Sequence, residues 1–104
     1  MFVRTSHWTC KPEFVGAALE LYRTKAVPIL RRQPGLLWTQ LQGEPGSNRR
    51  IAVTVWDSEA AHEECIRSGG MAEITKLFAH MYVEGVAPMG YAWPALHEEL
   101  INLK

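Results

Sequence analysis

The side chains best suited to acid–base or nucleophilic chemistry in this chain are its four histidines and two cysteines. His7 stands in the run Phe2 to Thr9 with Val3, Thr5 and Thr9 at alternate positions, which puts all four on one face of a strand. Imidazole ordinarily titrates near neutrality, so a histidine there could take a proton from a phenol as general base. The competing reading is a half-buried histidine bonded to a backbone carbonyl. His62 and Cys65 are three residues apart and could share a metal ion from one helix. No third ligand follows at a recognisable spacing, so no metal site is expected. Cys10 and Cys65 fit no redox pattern and are expected to be reduced thiols. Phe78, Met81 and Tyr82 end a helical stripe, and Tyr82 is its best ligand donor because a buried phenol hydroxyl needs a partner. His80 and His97 read as polar helix positions.

Punctuation and periodicity define the elements that must hold these residues. Phe2 to Thr9 is a strand ended by Lys11-Pro12, and proline suits a first helical position. Phe14, Ala17, Ala18, Leu21 and Tyr22 form one face of a helix. Pro28 removes the bond to the Thr24 carbonyl, which predicts a kink with a continuation from Ile29 to Arg32. Pro34-Gly35 stops it. Leu36 to Gln42 is a second strand, Gly43 to Asn48 a hairpin loop, and Arg50 to Trp56 a third strand. There Ile51, Val53 and Val55 face one way and Ala52, Thr54 and Trp56 the other, and neither face is strongly polar. The chain's own helices can cover one face, and a partner subunit is the simplest cover for the other.

Asp57 or Ser58 caps the next helix, which runs to about Ser68 with Ala61, His62, Cys65 and Ile66 inward. Gly69-Gly70 breaks it. Met71, Ile74, Leu77, Phe78 and Met81 then recur at helical spacing. A short strand at Met89 to Trp93 and a helix from Ala95 to Leu103 complete the order. The fold expected is α+β, a ferredoxin-like split β-α-β arrangement with a sheet of four antiparallel strands. In this register the faces of His7 and of Trp56 turn toward the helices, while Trp8 and Trp38 turn toward a partner.

At 104 residues the chain is a single domain, and nearly half of it is apolar. Its eleven basic and eleven acidic residues balance, which leaves no basic patch for nucleic acid. The N-terminus lacks a basic region followed by a long apolar run, so no signal peptide is expected. No apolar stretch approaches the roughly 20 residues that span a bilayer. The expectation is a cytoplasmic protein without a membrane partner.

Four local features together resemble the dimeric α+β-barrel family of antibiotic biosynthesis monooxygenase (ABM) type. They are the Cys10-Lys11-Pro12 strand end, Val27-Pro28-Ile29-Leu30 with Gln33-Pro34-Gly35, the Gly-Pro hairpin, and Val55-Trp56-Asp57-Ser58-Glu59-Ala60-Ala61. The resemblance covers about residues 2–93 and leaves 94–104 as a C-terminal extension. These are turn, kink and packing signals, specific for fold rather than for chemistry. The resemblance implies a homodimer through the open sheet face, closing a barrel. It also implies a small aromatic, quinol or polyketide-like ligand between sheet and helices, oxygenated without metal, flavin or other cofactor.

An electron-rich phenolate or enolate can itself reduce oxygen if the protein supplies a dry pocket, a base and donors for the developing oxyanion. On that footing His7 is the base, and Trp56 is a pocket wall whose indole N–H donates to a ligand oxygen. Tyr82 is a second donor, and Thr5, His62, Cys65, Ile66 and Phe78 surround the substrate. Trp56 also reads as a large core anchor. Relatives that degrade haem carry Asn, Trp and His where this chain has Thr5, Cys65 and Thr75, so haem breakdown is not expected. Two other readings stay open: a non-catalytic ligand-binding or stress-related dimer, and an isomerase or lyase.

Overall fold

The computed structural model describes residues 1–102. Strands β1 (Phe2–Thr9), β2 (Leu36–Gly43), β3 (Arg49–Trp56) and β4 (Met89–Pro94) form one antiparallel sheet in the order β2-β3-β1-β4. Helices α1 (Val15–Leu21) and α2 (Val27–Arg31) join β1 to β2, and α3 (Glu59–Arg67) and α4 (Gly70–Phe78) join β3 to β4. This is the expected ferredoxin-like α+β fold, with the helices on one face of the sheet. No helix among the described residues is long and apolar enough to cross a membrane.

Pro28 does not interrupt the first helical segment. A π-helical turn, Tyr22–Ala26, joins α1 to α2, and the Val27 N–H reaches back to the Tyr22 carbonyl. The wider turn accommodates a ring that would otherwise clash with the preceding turn. Tyr22, Ala26 and Leu30 are all buried, so the bulge keeps one inward stripe continuous past the proline. Gly35 then turns the chain at φ 83°, and its carbonyl accepts from the Asp57 N–H at 2.8 Å. A Cβ at Gly35 would lie 2.5 Å from the Ala61 Cβ, so this turn requires glycine both for conformation and for space. The Ser58 hydroxyl caps α3 by accepting from the Ala61 N–H at 3.1 Å.

The register of β1 differs from the expectation. Phe2 pairs with Trp56, and the face that meets the helices carries Phe2, Arg4, Ser6 and Trp8. Val3, Thr5, His7 and Thr9 therefore lie on the open face, opposite Val55, Val53, Ile51 and Arg49. Both faces of this strand carry apolar and polar side chains, so alternation alone did not choose between them. The choice falls to the largest side chains: Trp8 fills one core cluster with Tyr22, Leu30 and Phe78, and Phe2 fills a second with Trp56 and Cys65. A one-residue slip would send every side chain to the other face.

Trp38 does face the open side, through a bulge at Leu37. Leu36 pairs with Trp56 on the helix face, whereas Trp38 pairs with Val55. Ile66 is also corrected: it is 44% exposed, while His62 and Cys65 are the buried residues of α3. It sits about 100° around the helix from Cys65, beyond the reach of the sheet. No helix forms in 95–102, and Leu103 lies outside the described residues. Leu96, Leu100 and Ile101 stay exposed there, because that segment has no packed surface to face. Its ties to the body are the Ala95 N–H to the Met1 carbonyl at 2.9 Å and Glu98 to the N-terminal ammonium at 3.2 Å.

Candidate functional site

Between the sheet and the helices lies a cavity of about 150 Å³. Its floor is Arg4, Ser6 and Trp8 of β1 with Ala52 of β3, and its roof is Tyr22 with Thr75 and Phe78 of α4. Tyr82 and the Pro88–Gly90 segment close its remaining sides. The apolar walls are aromatic. Trp8 lies 5.5 Å from Phe78 and 5.5 Å from Tyr82, ring centre to ring centre, and Tyr22 lies 6.5 Å from Phe78. The site stands where the inward stripe of α4 passes over the end of β1, so strand alternation and helical period converge on it.

Three polar devices border this space. The Tyr22 hydroxyl is bonded to Thr39 Oγ1, which donates to the Val53 carbonyl at 2.8 Å. Thr39 is thus the acceptor for Tyr22, and that phenol is committed to the sheet. Burial pushes the Tyr22 and Tyr82 phenols up from their ordinary value, with the Thr39 bond opposing the shift at Tyr22. Both are neutral donors near pH 7. Tyr82 makes no side-chain hydrogen bond among the described residues, so its O–H is available to a ligand.

The second device is Arg4, the only charged residue of β1. Its Nη1 lies 3.3 Å from His62 Nε2, and its Nε lies 3.4 Å from Ser6 Oγ. Because a guanidinium only donates, His62 Nε2 is the acceptor and its proton resides on Nδ1. The third is His62 itself, which is 2% exposed. Burial lowers its pKa most, the Arg4 charge lowers it further, and Glu63 and Glu59 pull partly against them. Glu63 Oε1 is 3.8 Å from Nδ1, too far for a hydrogen bond, and Nδ1 has no partner among the described residues. His62 is a neutral imidazole that holds Arg4 in place.

Of the side chains expected around a substrate, the structure brings Phe78 and Tyr82 to this cavity and places His62 behind Arg4. Cys65 and Trp56 lie in the second core cluster with Phe2, and burial pushes the Cys65 thiol up from its ordinary value. The Trp56 N–H donates to Thr54 Oγ1 at 3.0 Å. Thr5 and His7 are on the far face of the sheet, bonded to each other at 3.1 Å, with His7 edge-on to Tyr91 at 5.4 Å. There His7 borders a wider depression of about 570 Å³ between the hairpin and Val86–Met89. Sequence reading missed Arg4, Ser6, Trp8 and Tyr22 as cavity residues. One signal was available: Arg4 is a lone charge spaced by two and four from Phe2 and Trp8, whose bulk places their shared face inward.

A helical layer over one antiparallel sheet, with an aromatic-walled cavity between them, defines a ferredoxin-like protein with room for a small ligand. The chain belongs to the antibiotic biosynthesis monooxygenase family, whose model matches residues 1–81. It resembles the solved structure of ActVA-Orf6, a monooxygenase of Streptomyces coelicolor in complex with nanaomycin D, with a TM-score of 0.75 at 18% identity over 97% of this chain and 92% of that one. SnoaB, a cofactor-independent oxygenase from Streptomyces nogalater, gives a TM-score of 0.74 at 16% identity over 93% and 94%. Rv0793 from Mycobacterium tuberculosis gives 0.70 at 15% identity over 93% and 96%. At such identities the likeness is one of fold. Among curated proteins none matches this sequence.

Proposed function

We propose that this protein is a cofactor-independent monooxygenase that binds a small electron-rich aromatic, of quinol type, between sheet and helices. The observation that carries this reading is the cavity walled by Trp8, Tyr22 and Phe78, with the Tyr82 hydroxyl and Arg4 as its available donors. Family membership and the oxygenases of like fold support it. The volume favours one ring: an apolar cavity of about 150 Å³ accepts benzene, whereas larger ligands occupy about 300 Å³ or more. Loss of a proton from the substrate to solvent water gives an enolate or phenolate whose ring carbon adds to oxygen. Loss of the second proton from that carbon, with cleavage of the O–O bond, leaves a carbonyl and releases water. Tyr82 and Arg4 would stabilise the anionic oxygen formed in the first step.

A specific observation favours a second reading, a non-catalytic binding protein. His62 Nε2 is occupied by Arg4 and His7 faces away, so neither imidazole offers the cavity a free base. Oxygen uptake with a panel of quinols and anthrones separates the two readings. The oxygenase should exceed the no-protein rate for at least one compound, and uptake at the background rate throughout would leave only binding. For any active compound, His7→Ala is expected to change the rate less than about threefold. A loss of about 10² or more would make His7 the base and move the reaction to the open face.

The expected homodimer is proposed through that open face. Trp38, Met89, Tyr91 and Trp93 project there around Val53 and Val55, and Trp93 is 67% exposed. A contiguous apolar patch of this kind marks an association surface. Sedimentation should show a dimer at micromolar concentration and a monomer for Trp93→Asp. A stable monomer of the parent chain would remove this assignment.

A further inference from the structure

Arg4 is a cation oriented by three neighbours yet paired with no acid. Its Nε meets Ser6 and its Nη1 meets His62. Its Nη2 lies against Gly90, where an added Cβ would stand 2.8 Å away, so the absence of a side chain on β4 makes room for the guanidinium head. None of the ion pairs among the described residues includes Arg4. Nη2 makes no hydrogen bond to the protein among these residues, and Arg4 and Gly90 both line the cavity. Of five N–H donors, three are unused: both on Nη2 and one on Nη1. A charge held half-buried beside aromatic walls is costly unless an anion completes it. Arg23, Arg49 and Arg67 each meet a glutamate. Arg31, Arg32 and Arg50 form no ion pair among the described residues either, but they do not line this cavity.

We propose that Arg4 is the anion receptor of the cavity, and that the ligand is a single-ring aromatic bearing a carboxylate. A planar carboxylate presents two oxygens that match neighbouring guanidinium donors, which makes this pairing stronger than that of a neutral oxygen. Ser6, His62 and Gly90 act as positioning residues for the guanidinium. The proposal rests on the cavity being the ligand site of the proposed function, and not on oxygen chemistry taking place there.

Calorimetric titration at about pH 8 with 2,5-dihydroxybenzoate and its neutral isostere 2,5-dihydroxybenzamide tests it. The acid should bind at least about tenfold more tightly than the amide, the scale of a charge-assisted hydrogen bond. Arg4→Met should remove that preference, with its fold checked by circular dichroism. Gly90→Ala, which keeps the charge and displaces only the flexible head, should reduce the preference and serves if Arg4→Met is unstable. Equal affinities for acid and amide, no saturable binding of the acid, or an unchanged preference in Gly90→Ala and Arg4→Met would overturn the assignment. Acid-selective binding together with background-rate oxygen uptake across the whole panel would instead sink the oxygenase reading and leave Arg4 as the receptor.

Discussion

Trp56→Ala is expected to lower folding stability by about 3–5 kcal/mol, the range for emptying a large buried aromatic site. Trp56 is 0% exposed and packs with Phe2, Cys65 and Leu36 in the smaller core cluster. It also meets the His62 ring edge-on at 5.7 Å, so its loss loosens the residue that holds Arg4. Its N–H bond to Thr54 Oγ1 would be lost as well, leaving a buried hydroxyl without that donor. For a domain of this size the thermal midpoint should fall by roughly 12 °C or more. Urea unfolding at fixed protein concentration measures the effect, because association shifts apparent stability. Trp56→Phe, which retains most of the volume, should cost clearly less. A Trp56→Ala chain within about 1 kcal/mol of the parent would show that this indole is no anchor. If Trp56 donates to a ligand instead, Trp56→Phe should weaken binding more than it weakens folding.

The path of the chain was legible because it depends on residues that allow few conformations. Pro34-Gly35, the hairpin, Ser58 before α3 and Gly69-Gly70 each act locally, and each marks a boundary in the structure. Phe78 reads as inward because its helix carries a clear apolar period, whereas the strand of Trp56 is apolar on both faces. The site was less legible, because it depends on which face of β1 turns inward. Phe2 and Trp8 oppose Val3 and Ile51 in that choice, and the result is set by volume across the sheet rather than by alternation along the strand. Once that face is inverted, His7 and Thr5 leave the cavity while Arg4, Ser6 and Trp8 enter it. The exposure of Ile66 has a simpler cause, one helical step past the stripe. The C-terminal leucines kept a helical spacing, but periodicity without a surface to bury against does not make a helix.

His62 gives the folded chain a pH dependence with a definite sign. Its folded pKa lies below the unfolded value of about 6.5, so the unfolded chain takes up the proton first as pH falls. The stability that comes from a neutral, buried His62 is therefore fully present above about pH 6.5. It is lost on acidification toward the folded pKa, with a limiting slope of about 1.4 kcal/mol per pH unit for one proton. Arg4 at 3.3 Å resists protonation, because a proton on Nε2 would convert the acceptor of its N–H into a second donor beside a like charge. Glu63 and Glu59 on α3 pull the other way without meeting Nδ1 in a hydrogen bond. His62→Gln can still accept from Arg4 and does not titrate. Its stability should thus fall less than the parent's between about pH 7.5 and pH 5, in thermal unfolding at constant ionic strength. Parallel curves for the two chains would mean that this imidazole is not the neutral buried group described. If they diverge, His62 in the folded chain still takes up its proton only below that lowered pKa, so Arg4 stays oriented. The preference for an anionic ligand should then persist while only the unfolded chain is protonated, and weaken at lower pH.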